Sequence, residues 1–136
     1  MTRTAITTAA VALATAAALA QSSVKDGVYT TTQADAGAAL YETRCFSCHG
    51  ALDAFLPEVA ALLGDHTFRQ RWEGRPLAEL FELVQVEMPQ DAPGSLSLDE
   101  TAQLVAFILQ GNKLPAGDAP LATDPAALSE IMLALE

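Results

Sequence analysis

The sequence predicts an all-α protein, and three observations carry that expectation. Leu77, Leu80, Phe81 and Val84 recur at the i, i+3, i+4, i+7 spacing of a helix with one buried stripe. Two capping signals, Thr32 with Asp35 and Ser97 with Glu100, each stand in front of a helical stretch. No pair of alternating apolar and polar runs reads as a strand pair, and there is neither an internal repeat nor a glycine-rich nucleotide loop. A chain of 136 residues is long enough for one buried core and too short for two.

The chain opens with "MTRTAITTAAVALATAAALAQSS", in which Arg3 precedes an alanine-rich apolar run, and Ala18 and Ala20 precede Gln21. This is the pattern of a secretory signal peptide cleaved after Ala20, which assigns residues 1–20 to the signal and the chain to the periplasm. An uncleaved anchor is the competing reading; the run is shorter than the ~20 residues needed to span a bilayer. Residues 21–32 lack helical periodicity and read as an extended lead-in to a domain over 33–112.

The first helix, capped at Thr32, places Gly37, Leu40 and Tyr41 on one face and runs into the cysteines. Glycine inside a helix costs propensity, so Gly37 marks a close approach of another backbone. From Gly50 to Gly64 the chain is apolar without periodicity, and Pro57 interrupts any helix there. Asp65 is placed to cap a short helix through Arg71 and Trp72 that ends at Gly74. Pro76 opens the next helix, which Pro89 and Pro93 end. Ser97 and Glu100 then open the helix "LDETAQLVAFILQG", with Gly111 as its natural stop and Phe107 facing Tyr41 across the Gly37 contact. Residues 113–136, rich in Pro and Ala, form a tail that packs on the domain.

Charge narrows the function. Seven Lys plus Arg against seventeen Asp plus Glu give a net charge of −10, and loss of Arg3 with the signal makes the mature chain more acidic still. That balance disfavours nucleic acid and anionic membranes and favours steering toward basic partner surfaces.

The only two cysteines, Cys45 and Cys48, are followed directly by His49 in "YETRCFSCHG". A disulfide between them would close a tiny loop and contribute little chain-entropy stabilisation. A zinc site lacks finger-like ligand spacing, because His49 adjoins Cys48 and His66 stands apart. A redox dithiol lacks its βαβ context. C-x-x-C-H in an exported chain reads instead as the attachment site of one c-type haem, two thiols forming thioethers and the histidine supplying a ligand to iron. Of three methionines, Met88 alone stands after a helix and before a proline-rich loop, as a second axial ligand requires; its competing role is a core filler. Trp72, Arg71 and Arg75 are candidates to contact the haem propionates, with Arg69 in the same basic cluster; Trp72 serves equally as a core aromatic. His66 reads as an exposed residue of its helix. The carboxylates form no acid/base pair, and Glu79, Glu82 and Glu87 read as a solvated helix face.

On these residues the chain resembles a class I cytochrome c, in particular the small periplasmic single-haem cytochromes associated with quinoprotein dehydrogenases. The resembling stretches are the helix with Gly37 and Tyr41 leading to "CFSCHG", then "LLGDHTFRQRW", "LAELFELVQVEMPQDAPGSLS" and "DETAQLVAFILQGNKLPAG". The resemblance implies three main helices and one or two short ones around one haem c held by Cys45 and Cys48, with His49 proximal and Met88 distal. It implies a non-enzymatic electron carrier of the respiratory chain, working transiently between a periplasmic dehydrogenase and an oxidase or another cytochrome, without stable membrane insertion once the signal is removed. A haem enzyme or gas sensor with an open iron site, and a dedicated cytochrome subunit of one dehydrogenase, are the alternatives. One position departs from the pattern: similar chains carry P-x-L-x-G after the haem motif, whose proline carbonyl orients the proximal imidazole. Here the stretch is "AALLG", and Ala60 stands in the proline's place.

Overall fold

A computed structural model describes residues 22–52, 63–64 and 66–136. The signal segment, the loop with Pro57 and Ala60, and the Asp65 cap lie outside the described residues. Six helices follow in order: α1 (Thr31–Arg44), α2 (Phe46–His49), α3 (His66–Trp72), α4 (Leu77–Glu87), α5 (Leu98–Gly111) and α6 (Pro125–Ser129). The expected all-α class is observed, with three long helices, α1, α4 and α5, and shorter ones between and after them.

The principal helix contact is between α1 and α5. Gly37 is buried in it: a Cβ at this position would fall on the carbonyl oxygen of Gln103 and lie 3.0 Å from Phe107 Cβ. One turn further along α1, the rings of Tyr41 and Phe107 meet at 5.1 Å between centroids with a 54° tilt, as expected from the sequence. On the other side of α5 the stripe of Leu104, Val105, Ile108 and Leu109 is buried with Leu77, Leu80, Phe81 and Val84 of α4 in one core.

The caps differ in part from the sequence expectation. Ser97 and Glu100 make the full reciprocal box at the start of α5. At α1 the cap is Thr30, whose hydroxyl accepts from the Gln33 amide, so the helix starts inside the stretch read as an extended lead-in. Nor is that lead-in extended throughout: Val24–Asp26 form a 3-10 turn capped by Ser23, and Val24 and Tyr29 are buried. Two buried apolar side chains outweigh the polar composition around them. At the other end, Gly111 does not stop α5 but belongs to it, packed against Leu52. Lys113 takes the left-handed conformation instead (φ 66°), while its N–H donates to Gln110 O and that of Leu114 to Leu109 O. These two bonds make a Schellman ending in which lysine occupies the usual glycine position.

A strand pair that the sequence did not announce joins the two ends of the described chain. Ser22–Ser23 (β1) and Ile131–Met132 (β2) pair in parallel over two residues. Met132 therefore lies in a strand, beyond α6, which ends at Ser129. The segment after α5 is held throughout its length. Gln33 brackets Leu121, accepting its N–H at 2.8 Å and donating to its carbonyl at 3.3 Å. Leu133 exchanges bonds with the turn after α3, accepting from Gly74 N–H at 2.8 Å and donating to Arg75 O at 2.9 Å. Leu121, Leu128, Leu133 and Leu135 are all buried.

Gly37→Ala should destabilise the protein by about 2 kcal/mol in urea unfolding, because the clash with the α5 backbone exceeds the roughly 1 kcal/mol of helix propensity that alanine regains. Lys113→Gly should stabilise it by about 0.5–1 kcal/mol in the same measurement, since the left-handed strain of an L-residue exceeds the entropy that glycine adds to the unfolded chain.

Candidate functional site

The cysteine stretch sits where α1 gives way to α2. Cys45 ends α1, its N–H bonded to Tyr41 O, and its own carbonyl accepts from the amides of Cys48 (3.1 Å) and His49 (2.9 Å). The break between helices leaves Cys45, Cys48 and His49 at i, i+3 and i+4 on one short turn, the spacing that puts side chains on one face. No disulfide joins the two thiols: Cys45 is half-buried and Cys48 exposed. Gly50 closes the turn at φ 64°. The Tyr41 hydroxyl donates to Gly50 O at 2.8 Å, so one α1 side chain both packs on α5 and ties down the end of the motif.

Burial pushes the Cys45 thiol above its ordinary value, Cys48 adds to the rise, and the Arg44 guanidinium opposes it. Burial, then the neighbouring Cys45, pushes Tyr41 up to about 12, so its phenol is neutral and able to donate across the physiological range.

A cavity of about 360 Å³ opens beside this turn. That volume falls within the ~300–1,000 Å³ of small-molecule and cofactor sites. Cys45, Cys48 and His49 line it together with Met88, which directly follows α4. Leu80, Leu83 and Val84 of α4 and Leu104 and Ile108 of α5 supply an apolar wall. The donor set fits a haem: two thiols for covalent attachment, an imidazole and a thioether for iron, and aliphatic side chains for the macrocycle. Among the described residues no group of three or more His, Cys, Asp or Glu is placed to hold a bare metal ion.

The basic cluster divides. Arg71 and Trp72 line the cavity, and Trp72 is buried with two guanidiniums near its ring, Arg71 at 5.2 Å and Arg75 at 4.6 Å from the centroid. Arg75 is not among the residues that line the cavity; it forms an ion pair with Glu79 one helical turn away. Arg69 and the exposed His66 are likewise absent from the lining, while Phe68, on the same helix, packs 6.4 Å from the Trp72 ring.

Arg44, at the site, and Gln85, outside its lining, make contacts that the local sequence does not display. Arg44 lines the cavity and donates to Ser95 Oγ at 2.9 Å; it stands next to Cys45, but nothing in the sequence says that an exposed arginine there has a distant partner. Gln85, a polar position one turn before Met88, donates to Leu96 O and accepts from Thr101 Oγ1, both at 2.7 Å. An amide among the apolar residues of α4 was the available clue.

Comparison with curated proteins and with solved structures gave no match. Residues 32–108, more than half of the chain, match the family model described as "Cytochrome C oxidase, cbb3-type, subunit III". The matched region contains the cysteine motif, α3, α4, Met88 and most of α5. Cytochrome c domains of this kind bind haem c covalently and serve haem-based electron transfer, generally as carriers and not as enzymes. The chain belongs to this family and is a small c-type cytochrome of the class I kind.

Proposed function

We propose that the protein is a periplasmic one-electron carrier with a single haem c, passing electrons from a dehydrogenase to an oxidase or to another cytochrome. The observation that carries the reading is the convergence of Cys45, Cys48, His49 and Met88 on one cavity walled by leucine, valine and isoleucine. Cys45 and Cys48 would hold the haem by thioethers, and His49 and Met88 would supply a nitrogen and a sulfur ligand to its iron. When bound, the haem supplies a one-electron ferric/ferrous couple, whose potential a methionine ligand raises.

The chain's own residues prepare that chemistry. Leu80, Leu83, Leu104 and Ile108 keep water from the macrocycle, so a change of charge meets little solvent to reorganise. Arg71 lines the cavity and is available to a propionate, with the Trp72 indole beside it. Arg75 serves by stacking on Trp72 while Glu79 holds it. Export rests on the Arg3-to-Ala20 pattern, and no helix among the described residues is long and apolar enough to cross a membrane. The acidic surface suits brief, charge-steered docking on basic partners, weakening as salt rises.

The family description names an oxidase subunit, and this favours a second reading in which the cytochrome is resident in one respiratory complex. Purification from native membranes and soluble extract separates the two: a carrier elutes alone, a subunit with its complex.

A haemochrome assay of the purified protein should give one haem per chain, retained after denaturation; Cys45→Ala with Cys48→Ala should lose it. The reduced protein should bind carbon monoxide slowly at neutral pH, and rapid binding would overturn the closed-iron reading. Met88→Ala should abolish the weak near-infrared methionine-to-ferric-iron band and admit carbon monoxide.

A further inference from the structure

Between α4 and α5 the chain runs through Met88 to Leu96, and its first four residues line the cavity. Internally this loop is two successive turns, Ala92 N–H to Pro89 O and Ser95 N–H to Ala92 O, with Gly94 at φ 71°. Residues 92–95 are exposed and outside the cavity lining, so packing does not hold them. Among the described residues, two side chains of the body hydrogen-bond to the loop. Gln85 reaches from α4 to Leu96 O at 2.7 Å, and its amide orientation is unambiguous: a backbone carbonyl only accepts, so the NH2 faces Leu96 and the oxygen faces the Thr101 hydroxyl. Leu96 is nearly fully buried, which makes its bond costly to leave unmade, whereas the buried Thr101 hydroxyl also lies 2.9 Å from Ser97 O and keeps an acceptor without Gln85. Arg44, from the cysteine side of the cavity, reaches Ser95 Oγ at 2.9 Å. One clamp therefore ties the loop to the helix that precedes it, and the other ties it to Arg44, which lines the cavity beside Cys45.

We propose that Gln85 and Arg44 are positioning residues that latch the loop shut over the cavity and thereby decide how readily an outside ligand displaces Met88. The proposal rests on Met88 being an axial ligand. A thioether is a neutral, replaceable ligand, and its residence on iron depends on how seldom the loop that carries it opens. The apparent affinity of a competing ligand scales with the open fraction. Loss of a hydrogen bond whose partners are buried multiplies that fraction by about ten, and loss of one exposed bond by about three.

Imidazole titration of the oxidised holoprotein, followed by loss of the near-infrared band, tests this. Gln85→Leu, which keeps volume and removes both polar arms, should tighten apparent imidazole binding about tenfold. Ser95→Ala, on an exposed turn, should tighten it about threefold and leave the urea midpoint unchanged. Should Gln85→Leu fail to fold, Ser95→Ala decides alone. Affinities within 1.5-fold (about 0.2 kcal/mol) of wild type in every folded variant would overturn the latch, even if Gln85→Leu lowers the urea midpoint, since that is the signature of a merely structural glutamine. A wild-type protein without the band would instead sink the assignment of Met88 itself, and the latch with it.

Discussion

The close crossing of α1 and α5 at Gly37 is the constraint on which the rest of the molecule depends. With no side chain at that position, the α1 backbone lies directly against the Gln103 carbonyl, and the separation of the two helices is set by backbone contact. Everything that forms the cavity is referred to that crossing. Tyr41, one turn on, packs against Phe107 and reaches Gly50, so the end of α1 cannot move without the cysteine turn. Leu104 and Ile108 on α5 then stand as a fixed part of the apolar cavity wall that α4 completes. Core packing transmits such a constraint because it is close-packed and does not deform continuously.

Polar side chains do the remaining positioning, each by bridging elements distant in the chain. Gln33 holds Leu121, Glu73 accepts from the Leu135 amide at 2.6 Å, Asn112 donates to Leu63 O at 2.7 Å, and Gln85 joins α4 to the start of α5. The tail bonds converge on the turn after Trp72, so the far end of the chain braces the aromatic wall of the cavity. A net charge of −10 is not mirrored at the site: among the described residues Arg44 and Arg71 line the cavity, against the single carboxylate of Asp91. An acidic protein thus offers cationic groups where a carboxylate-bearing cofactor would sit.

Much of the fold was legible because its signals are local. The α4 stripe, the Ser97 box and the Gly37 contact each follow from residues within a few turns of one another, and Cys45, Cys48 and His49 share one turn by spacing alone. The α1 cap was displaced from Thr32 to Thr30 because neighbouring threonines are equivalent as caps until the burial of Ala34, Gly37 and Tyr41 selects the register. Gly111 was read as a stop by its identity, yet packing against Leu52 keeps it helical and passes the left-handed position to Lys113. Ala60, where the resemblance expected proline, lies outside the described residues.

What the sequence by itself determined is the helical class, the shared turn of Cys45, Cys48 and His49, and the place of Met88 just beyond α4. These depend on residue type and short-range periodicity, which a linear chain displays directly. Tertiary structure alone decided that Arg71, and not Arg75, lines the cavity, that the two ends of the described chain pair as strands, and that Arg44 and Gln85 grip the Met88 loop. The strand pair and the two grips on the loop depend on partners from 11 to 109 residues apart, as with Gln85 and Leu96 or Ser22 and Ile131. Which of several chemically adequate partners a side chain meets is fixed by packing, and no pattern along the chain encodes it.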